Sequence, residues 1–446
     1  MIDGIRENQT NSDPGRAVEA VGAGRLAGAE QLLTSADAYS GELVPRLHCE
    51  YSLTPEDFLK KAGSSISSLT LADIRRWMDA GMIQHRLIDG RPMIFRREPA
   101  NLFRFCPEAI ARRTDAAVPA ARPRPWLRSI IDEASATGRP EVLATHHHLR
   151  FTLRVHAGIP EMKRGSQLRA WLPAPQQYLQ QKDVRLIGTC PAGGRQAANG
   201  SAHRTIYLEK TVEDPSAEQI FTAEYEFRTS ACYPQLADEL SRPASESLQT
   251  EYLAERLPHI PLTESIRKLA AEIVRGQTYP LAAARAIFRW VHENIRYCAE
   301  EEYCLISSLT EKALSSRRGD CGVQAMVFIT LCRAAGIPAR WQSGWRIEPG
   351  NINMHDWCEF YVAPWGWLPC DPSDGPQPSD DPAIRDFYFG HTDPYRMIVN
   401  LDFGRAFDSP KKSLRSEPVD FQRGEVEMDG RNLYFDCWDY ELRRQT

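Results

Sequence analysis

The sequence predicts an α+β protein in which a β-rich region is followed by a helical one. Between residues 146 and 228, short apolar–polar alternating segments bounded by turn residues have the period of two that is typical of antiparallel strands. From 266 to 295, apolar residues recur instead at helical spacing. An almost wholly apolar run then extends from Val323 to Leu331, which predicts a helix buried in the core.

The composition is that of an ordinary globular chain. The sequence has 446 residues, of which 42% are apolar and 25% charged, and its net charge is −5. This length predicts two to four domains, and the small net charge gives no reason to expect a nucleic acid as the main partner. No apolar run reaches the roughly 18 residues of a membrane-spanning helix, and the N-terminus lacks a secretory signal. We therefore expect a cytoplasmic protein that binds no membrane.

Five regions are predicted along the chain. They are a flexible lead-in (1–45), a small helical and hairpin module (46–125), a β-sandwich (146–245), a core domain (255–400) and a C-terminal extension packed on the core (401–446). In the module, Thr54 and Thr70 have the sequence context of helix N-caps, and Asp89-Gly90 suits a tight hairpin turn. The three prolines within 116–125 indicate a linker.

We interpret an arginine-rich segment and a run of three histidines as structural. Residues 85–128 contain ten arginines and four acidic residues, and we interpret this excess as a solvated surface rather than a nucleic-acid site. His146, His147 and His148 are adjacent, so on a strand their side chains point to alternating faces and do not form a metal site. The eleven cysteines include no CxxC pair, which argues against a zinc ribbon and a disulfide framework.

A candidate nucleophile lies at the start of the buried helix. Gly319-Asp320-Cys321-Gly322 directly precedes the apolar run, so Asp320 or Gly319 is the predicted N-cap and Cys321 lies in the first turn. The unpaired N–H groups and the positive end of the helix dipole stabilise a thiolate there. The same N–H groups point to where the oxyanion of an attacked carbonyl forms.

A histidine and an aspartate follow on two predicted strands. Met354 to Val362 reads as one strand, and the next strand approaches Asp371. Pairing His355 directly with Asp371 centres the turn on Ala363 and requires a loop of three or five residues. Opposed residues share one face of the sheet, so the carboxylate can orient the imidazole. A thiol, an imidazole and a carboxylate together are suited to acyl transfer through a thioester.

Each of these residues has a structural interpretation when it is taken alone, since a cysteine, a histidine or an Asp-Pro turn is more often structural than catalytic. Their order and local settings together favour catalysis by Cys321, His355 and Asp371. In the same register Cys358 and Cys370 do not oppose each other directly but are offset by one step of the pairing, and we expect no disulfide between them.

Several motifs together resemble the transglutaminase-like superfamily, in particular its bacterial cysteine proteases and amidases. They are Arg318–Gly322, Arg333–Arg340, His355–Trp357 and Gly366–Pro372. The resemblance covers roughly 265–375, about a quarter of the chain. It implies a papain-like core after a β-sandwich, with Cys321 as nucleophile, His355 as general base and acid, and Asp371 as the residue that orients His355. It also implies that neither a metal nor an organic cofactor is needed.

The resemblance further suggests candidate residues around the nucleophile. Tyr297, 24 residues before Cys321, is the candidate for a second oxyanion donor, by analogy with the aromatic donor of animal transglutaminases. Trp345 and Trp357 either line an acyl-binding channel or pack in the core. The implied activity is hydrolysis of peptide or protein carboxamides, as a protease or amidase. Isopeptide cross-linking by a protein-glutamine γ-glutamyltransferase and a catalytically idle binding scaffold are the alternatives.

Overall fold

In the computed structural model, residues 38–115 and 122–445 are described and form two compact units. Of these residues, unit 1 contains 38–115 and 298–305, and unit 2 contains 122–297 and 306–445. Most of the predicted lead-in, up to residue 37, and the predicted linker up to residue 121 lie outside the described residues. None of the described helices is both long and apolar enough to cross a membrane.

Unit 1 consists of short helices and one hairpin. Its helices are Ala38–Glu50, Pro55–Ala62, Leu71–Asp79, Glu98–Phe105 and Pro107–Ala111, with a 3₁₀ turn at Tyr303–Leu305, and its antiparallel strands are β1 (His85–Ile88) and β2 (Arg91–Ile94). Thr54 and Thr70 each form a capping box, with Asp57 and Asp73 respectively. The helix that begins at Ala38 enters the region predicted as a flexible lead-in.

The arginine excess of this module is engaged by glutamates from elsewhere in the sequence. Arg86 lies 3.0 Å from Glu301, and Arg96 lies 2.8 Å from Glu50. Both glutamates are almost fully buried. Counting charges between 85 and 128 missed these partners, because Glu50 precedes that window and Glu301 lies in segment 298–305, which belongs to unit 1 although it lies far along the chain.

Unit 2 contains seven described α-helices and fifteen strands. The helices are Leu127–Thr137, Glu246–Tyr252, Glu264–Ile273, Pro280–Asn294, Leu309–Ser316, Cys321–Ala334 (the Cys321 helix) and Pro382–Arg385, with a 3₁₀ turn at Asp238–Leu240. The strands are β3 (Glu141–Val155), β4 (Gln167–Pro173), β5 (Gln181–Cys190), β6 (Arg195–Gln196), β7 (Thr205–Thr211), β8 (Gln219–Cys232), β9 (Arg296–Tyr297), β10 (Arg318–Gly319), β11 (Ala339–Glu348), β12 (Asn351–Val362), β13 (Gly366–Cys370), β14 (Arg396–Asn400), β15 (Glu425–Met428), β16 (Arg431–Leu433) and β17 (Trp438–Arg444).

Two antiparallel sheets of unit 2 share one hydrophobic cluster. Their strand orders are β16-β15-β4-β7-β6 and β17-β3-β8-β5, and residues from both, such as Trp171 and Phe221, lie in the same buried core. The C-terminal strands complete these sheets, since β15 pairs with β4 and β17 with β3. Residues 401–446 were predicted as an extension packed on the core domain. Asp420 and Gln422 do contact that domain, at Ser343 and Asp356, whereas the strands that follow join the two sheets. Strand pairing over more than 250 residues leaves no local signal in the sequence.

A third sheet, of order β13-β12-β11-β14, packs against the Cys321 helix. Every residue of that helix from Cys321 to Arg333 is buried, as the apolar run predicts. Gly336, in the left-handed region at φ +81°, follows its end. The mixed helical and sheet content agrees with the predicted α+β class.

Candidate active site

Cys321 is the first residue of its helix. The Asp320 side chain caps the helix by accepting a hydrogen bond of 3.1 Å from the Val323 backbone N–H. Gly319 precedes the cap in a tight position, where an added Cβ would lie 2.4 Å from the Val323 side chain. The sequence therefore places the thiol at the helix N-terminus, as predicted.

The thiol does not have the low pKa expected from its helix position. Burial raises the pKa of the Cys321 thiol well above its ordinary value, and the carboxyl groups of Asp356 and Asp320 raise it further. Only 9% of the residue is exposed to solvent. Desolvation disfavours the charged form, which is the direction opposite to the one expected from the helix dipole.

His355 and Asp371 form a buried pair. The Nε2 atom of His355 lies 2.6 Å from Oδ2 of Asp371. The other carboxylate oxygen accepts hydrogen bonds from the backbone N–H groups of Ser373 and Asp374, both at 3.1 Å, and from the Ser373 hydroxyl at 2.8 Å. Burial alone would raise the pKa of Asp371, but His355 and Arg396 outweigh it and hold that pKa well below its usual range. The carboxylate is thus ionised and fixed against the ring.

The strand register differs from the predicted one. Cys358 opposes Cys370 directly, and the turn consists of residues 363–365 between Val362 and Gly366. The loop has the predicted odd length, but its centre is shifted by one residue. His355 and Asp371 are consequently diagonal neighbours, a separation that side chains of this size can span. Cys358 and Cys370 form no disulfide, as expected.

Arg346, which no sequence pattern singled out, also contacts the imidazole. Nη2 of Arg346 lies 2.9 Å from Nε2 of His355 and 2.6 Å from Asp374. Burial lowers the pKa of His355 and Arg346 lowers it further, against the opposing effect of Asp371. The ring is therefore neutral at neutral pH and able to accept a proton. Gly344 of β11 is the direct cross-strand partner of His355, and Arg346 follows Gly344 by two residues. Knowledge of the β11–β12 pairing would therefore have identified Arg346 as a neighbour of His355.

The sulfur contacts a different carboxylate from the one that orients His355. Sγ of Cys321 lies 3.4 Å from Oδ2 of Asp356, and within the described residues it has no hydrogen bond to either nitrogen of His355. Because neighbouring residues on a strand point to opposite faces, Asp356 and His355 lie on opposite sides of β12. The structure thus joins two of the three predicted groups and places the third against an adjacent acid.

A family model described as the transglutaminase-like superfamily matches residues 267–372, the segment that contains these groups. This segment, about a quarter of the chain, is similar to the transglutaminase-like superfamily.

Two curated relatives of the transglutaminase-like segment have named activities. A peptide-N(4)-(N-acetyl-beta-glucosaminyl)asparagine amidase of Gallus gallus is 31% identical over 120 residues, which are 26% of this chain and 17% of the relative. A protein-glutamine gamma-glutamyltransferase of Pseudomonas aeruginosa is 30% identical over 118 residues, 24% of this chain and 18% of the relative. The chain thus spans less than a fifth of the length of either enzyme.

A solved structure is similar over a larger part of the chain. It is described as a candidate cysteine protease from Cytophaga hutchinsonii and covers 68% of this chain and 93% of its own. The sequence identity is 15% and the TM-score is 0.42.

The other candidate residues of the transglutaminase-like core lie in different surroundings. Tyr297 belongs to β9, pairs with Gly319 of β10 and is 42% exposed, so it lies beside the start of the Cys321 helix. Trp345 is buried in the cluster shared by the two larger sheets, and its indole N–H donates to the Gln422 carbonyl. Trp357 is buried beside His355. Core packing, one of the two interpretations of these tryptophans, is what the structure supports, because neither offers surface to an acyl chain.

The transglutaminase-like site also brings together groups with the spacing of metal ligands. Ligand atoms of His355, Asp371 and Asp374 all lie within 4.8 Å of one another. The guanidinium groups of Arg346 and Arg396 already pair with these carboxylates. Two fixed cations neutralise the cluster, and we assign no metal to it.

The histidine triplet separates as predicted from strand geometry. His147 is buried and hydrogen-bonded to Thr229 at 2.7 Å, whereas His148 pairs with Glu224 at 2.7 Å. Different partners on different faces leave these rings no shared ligand position.

Replacing Arg396 by methionine should destabilise unit 2 strongly. Its guanidinium lies 2.6 Å from Asp371 and 2.8 Å from Asp374; Arg396 and Asp371 are buried, and the Asp374 side chain is 10% exposed. Removing one partner of a buried ion pair leaves uncompensated charge, so we expect a loss of about 3–5 kcal/mol in the free energy of unfolding. Urea denaturation followed by tryptophan fluorescence measures this loss.

The matched control is Arg289→Met, because the Arg289 side chain that pairs with Asp386 is 47% exposed, against 4% for Arg396. Its removal should cost about 1 kcal/mol or less. Equal losses in the two variants would show that burial does not increase the contribution of the Arg396 ion pairs to the free energy of unfolding.

Proposed function

We propose that the chain is a cysteine hydrolase that acts on peptide or protein carboxamides through a thioester on Cys321. The observation that carries the proposal is the buried 2.6 Å contact between His355 and Asp371, on the sheet that packs against the Cys321 helix. A carboxylate-oriented imidazole and a cysteine at a helix N-terminus are the groups that thiol acyl transfer requires.

The first half of the reaction forms the thioester. The neutral imidazole of His355 accepts the thiol proton, and the sulfur of Cys321 bonds to the carboxamide carbon. Because the sulfur contacts Asp356, on the side of β12 opposite to His355, in the resting structure, this step requires the thiol and the imidazole to be brought together when substrate binds. Backbone N–H groups at the helix start stabilise the oxyanion, and the Tyr297 hydroxyl is the candidate second donor. His355 then protonates the departing amine or ammonia, while Asp371 stabilises the imidazolium.

The second half releases the acyl group. Water, deprotonated by His355, attacks the thioester carbonyl, and the thiol leaves with the proton returned. The name of the Gallus gallus relative, an asparagine amidase, supports water as the acceptor. The name of the Pseudomonas aeruginosa relative, a protein-glutamine gamma-glutamyltransferase, supports a lysine amine and makes cross-linking the second candidate. An idle scaffold is disfavoured because Cys321, His355 and Asp371 are all retained.

Replacing Cys321 by alanine should abolish turnover. Loss of the nucleophile from a thioester mechanism is expected to lower the rate by at least about 10³-fold. Intact-mass analysis of a peptide library, incubated with and without an added primary amine, measures cleavage, deamidation and amine incorporation in one experiment.

The control is Cys332→Ala, which removes a second buried cysteine of the same helix and should retain activity. Amine incorporation by the wild type would select the cross-linking candidate. Equal product formation by wild type and Cys321→Ala would refute the proposed function.

A further inference from the structure

Asp356 stands out because it is the acid that touches the nucleophile, although the proposed mechanism does not use it. Its Oδ2 atom lies 3.4 Å from the Cys321 sulfur, and only 4% of the residue is exposed. It lies on the face of β12 opposite to His355. The thiol therefore contacts an acid that does not belong to the His355–Asp371 pair.

A second buried acid supports Asp356 from behind. Asp420, also 4% exposed, shares a hydrogen bond with Asp356. Asp420 in turn accepts hydrogen bonds from the Ser343 hydroxyl at 2.5 Å and the Asn400 amide at 3.1 Å. Ser343 is the direct cross-strand partner of both Asp356 and Asn400. Asp356, Ser343 and Asn400 thus form a row of polar residues across β12, β11 and β14, and Asp420 contacts all three.

The orientation of Asp356 is fixed by a residue that reaches it from the segment before β15. The side-chain amide of Gln422 donates to Oδ1 of Asp356 at 2.7 Å and to the backbone carbonyl of His355 at 2.8 Å. This leaves Oδ2 directed at the sulfur. Gln422 thereby links the backbone of His355 to the carboxyl group that contacts the thiol.

The charges around this carboxyl pair are mostly negative. The groups that act on Asp356, Asp420 and the thiol are Cys321 and Asp320 from the helix, Asp371 from the other face and Arg415 from the C-terminal segment. Burial raises the pKa of Asp356 and that of Asp420, and each also interacts with the other. Two buried carboxyl groups in contact hold one proton between them, because both cannot ionise together.

We propose that Asp356, supported by Asp420, is a positioning residue that accepts the Cys321 S–H hydrogen bond and keeps the nucleophile in its thiol form until substrate binding brings the sulfur and His355 together. This inference rests on the proposed role of Cys321 as the nucleophile. Asp356 acts through the ionisation and orientation of the sulfur and needs no contact with substrate.

The proposal predicts different effects on the thiol midpoint for replacement of the two acids. In Asp356→Asn the single remaining charge lies on Asp420, away from the sulfur, so the midpoint of thiol ionisation should fall by about one pH unit, a tenfold gain in thiolate. In Asp420→Asn the charge lies entirely on Asp356, so the midpoint should stay or rise. The wild-type midpoint should itself lie above that of an ordinary cysteine.

The experiment is an ultraviolet titration of thiolate absorbance between about pH 6 and about pH 11 on the full chain. Each protein is measured against its own Cys321→Ala counterpart, which isolates the Cys321 signal from the other ten cysteines. Asp374→Asn, on the His355 face, is the matched control and should leave the midpoint unchanged. The buried sulfur needs no reagent access in this measurement.

An unchanged or raised midpoint in Asp356→Asn would overturn the proposal, and so would an equal fall in both acid variants. If Asp356→Asn does not fold, Asp420→Asn is the remaining test. A fall of its thiol midpoint contradicts the proposal, and a rise supports the proposal. The titration requires no substrate. A failure of the peptide assay with the predicted titration result would therefore reject the proposed function and leave the thiol–Asp356 interaction standing.

Discussion

Replacing Asp371 by asparagine is expected to lower turnover of a peptide carboxamide by about 10³–10⁴-fold. An amide retains the shape of the carboxylate, but it cannot stabilise the imidazolium that forms when His355 takes the thiol proton. It can also hold the ring in the wrong tautomer. The effect should fall on kcat, because Asp371 is buried and contacts the ring rather than the substrate. Steady-state kinetics on the peptide identified by mass analysis measures it.

Asp374→Asn is the control for this prediction. Asp374 also pairs with Arg346 and Arg396, but it lies 3.7 Å from His355, whereas Asp371 lies 2.6 Å away. Its replacement removes a buried charge without removing the residue that orients the ring, so turnover should change by about tenfold or less. Similar losses in both variants would mean that the charge cluster as a whole, rather than Asp371, supports the reaction. Circular dichroism verifies that both variants are folded.

Local patterns in the sequence were sufficient for most of the elements around the site. The apolar run after Cys321 predicts a buried helix, and all of its residues up to Arg333 are buried. Period-two segments such as 151–155 and 221–227 lie in the long strands β3 and β8. These predictions succeed because helix and strand periodicities are set by which side of an element faces the core.

The register of β12 and β13 shows where such arithmetic fails. It assumed that residues in contact must oppose each other directly, whereas His355 and Asp371 meet diagonally. The prediction of a low thiol pKa failed for a related reason. The same apolar run that predicts a buried helix also implies a desolvated first turn, and burial raises the pKa of Cys321.

The remaining parts of the site come from distant segments and had no local signal. Arg396 reaches Asp371 from β14, and Gln422 and Asp420 reach Asp356 from the segment before β15. Those contacts depend on which strands become neighbours in the third sheet and on how the C-terminal strands join the two larger sheets. Sheet order is a property of the whole fold, so single-sequence periodicity does not determine it.

Acid should destabilise unit 2 well before its carboxylates are protonated. His147, His259 and His391 are buried, and burial lowers the pKa of each to about 4, against 6.5 for an ordinary histidine. Between those values the unfolded chain binds protons that the folded chain does not, so stability rises with pH and is lost as pH falls. Each histidine contributes up to about 1.4 kcal/mol per pH unit, and the three together about 4.

Urea denaturation from about pH 7 down to about pH 4 tests this expectation. Tryptophan fluorescence reports on unit 2, because nine of the ten tryptophans lie there. Asp356 and Asp420, whose pKa values are raised by burial, oppose the trend, so the decisive quantity is a difference between variants. His147→Gln should reduce the slope of stability against pH by about 1.4 kcal/mol per unit. His156→Gln, which removes a ring that is 42% exposed, is the matched control, and an unaltered slope in His147→Gln would show that the buried imidazole is already protonated in the folded chain.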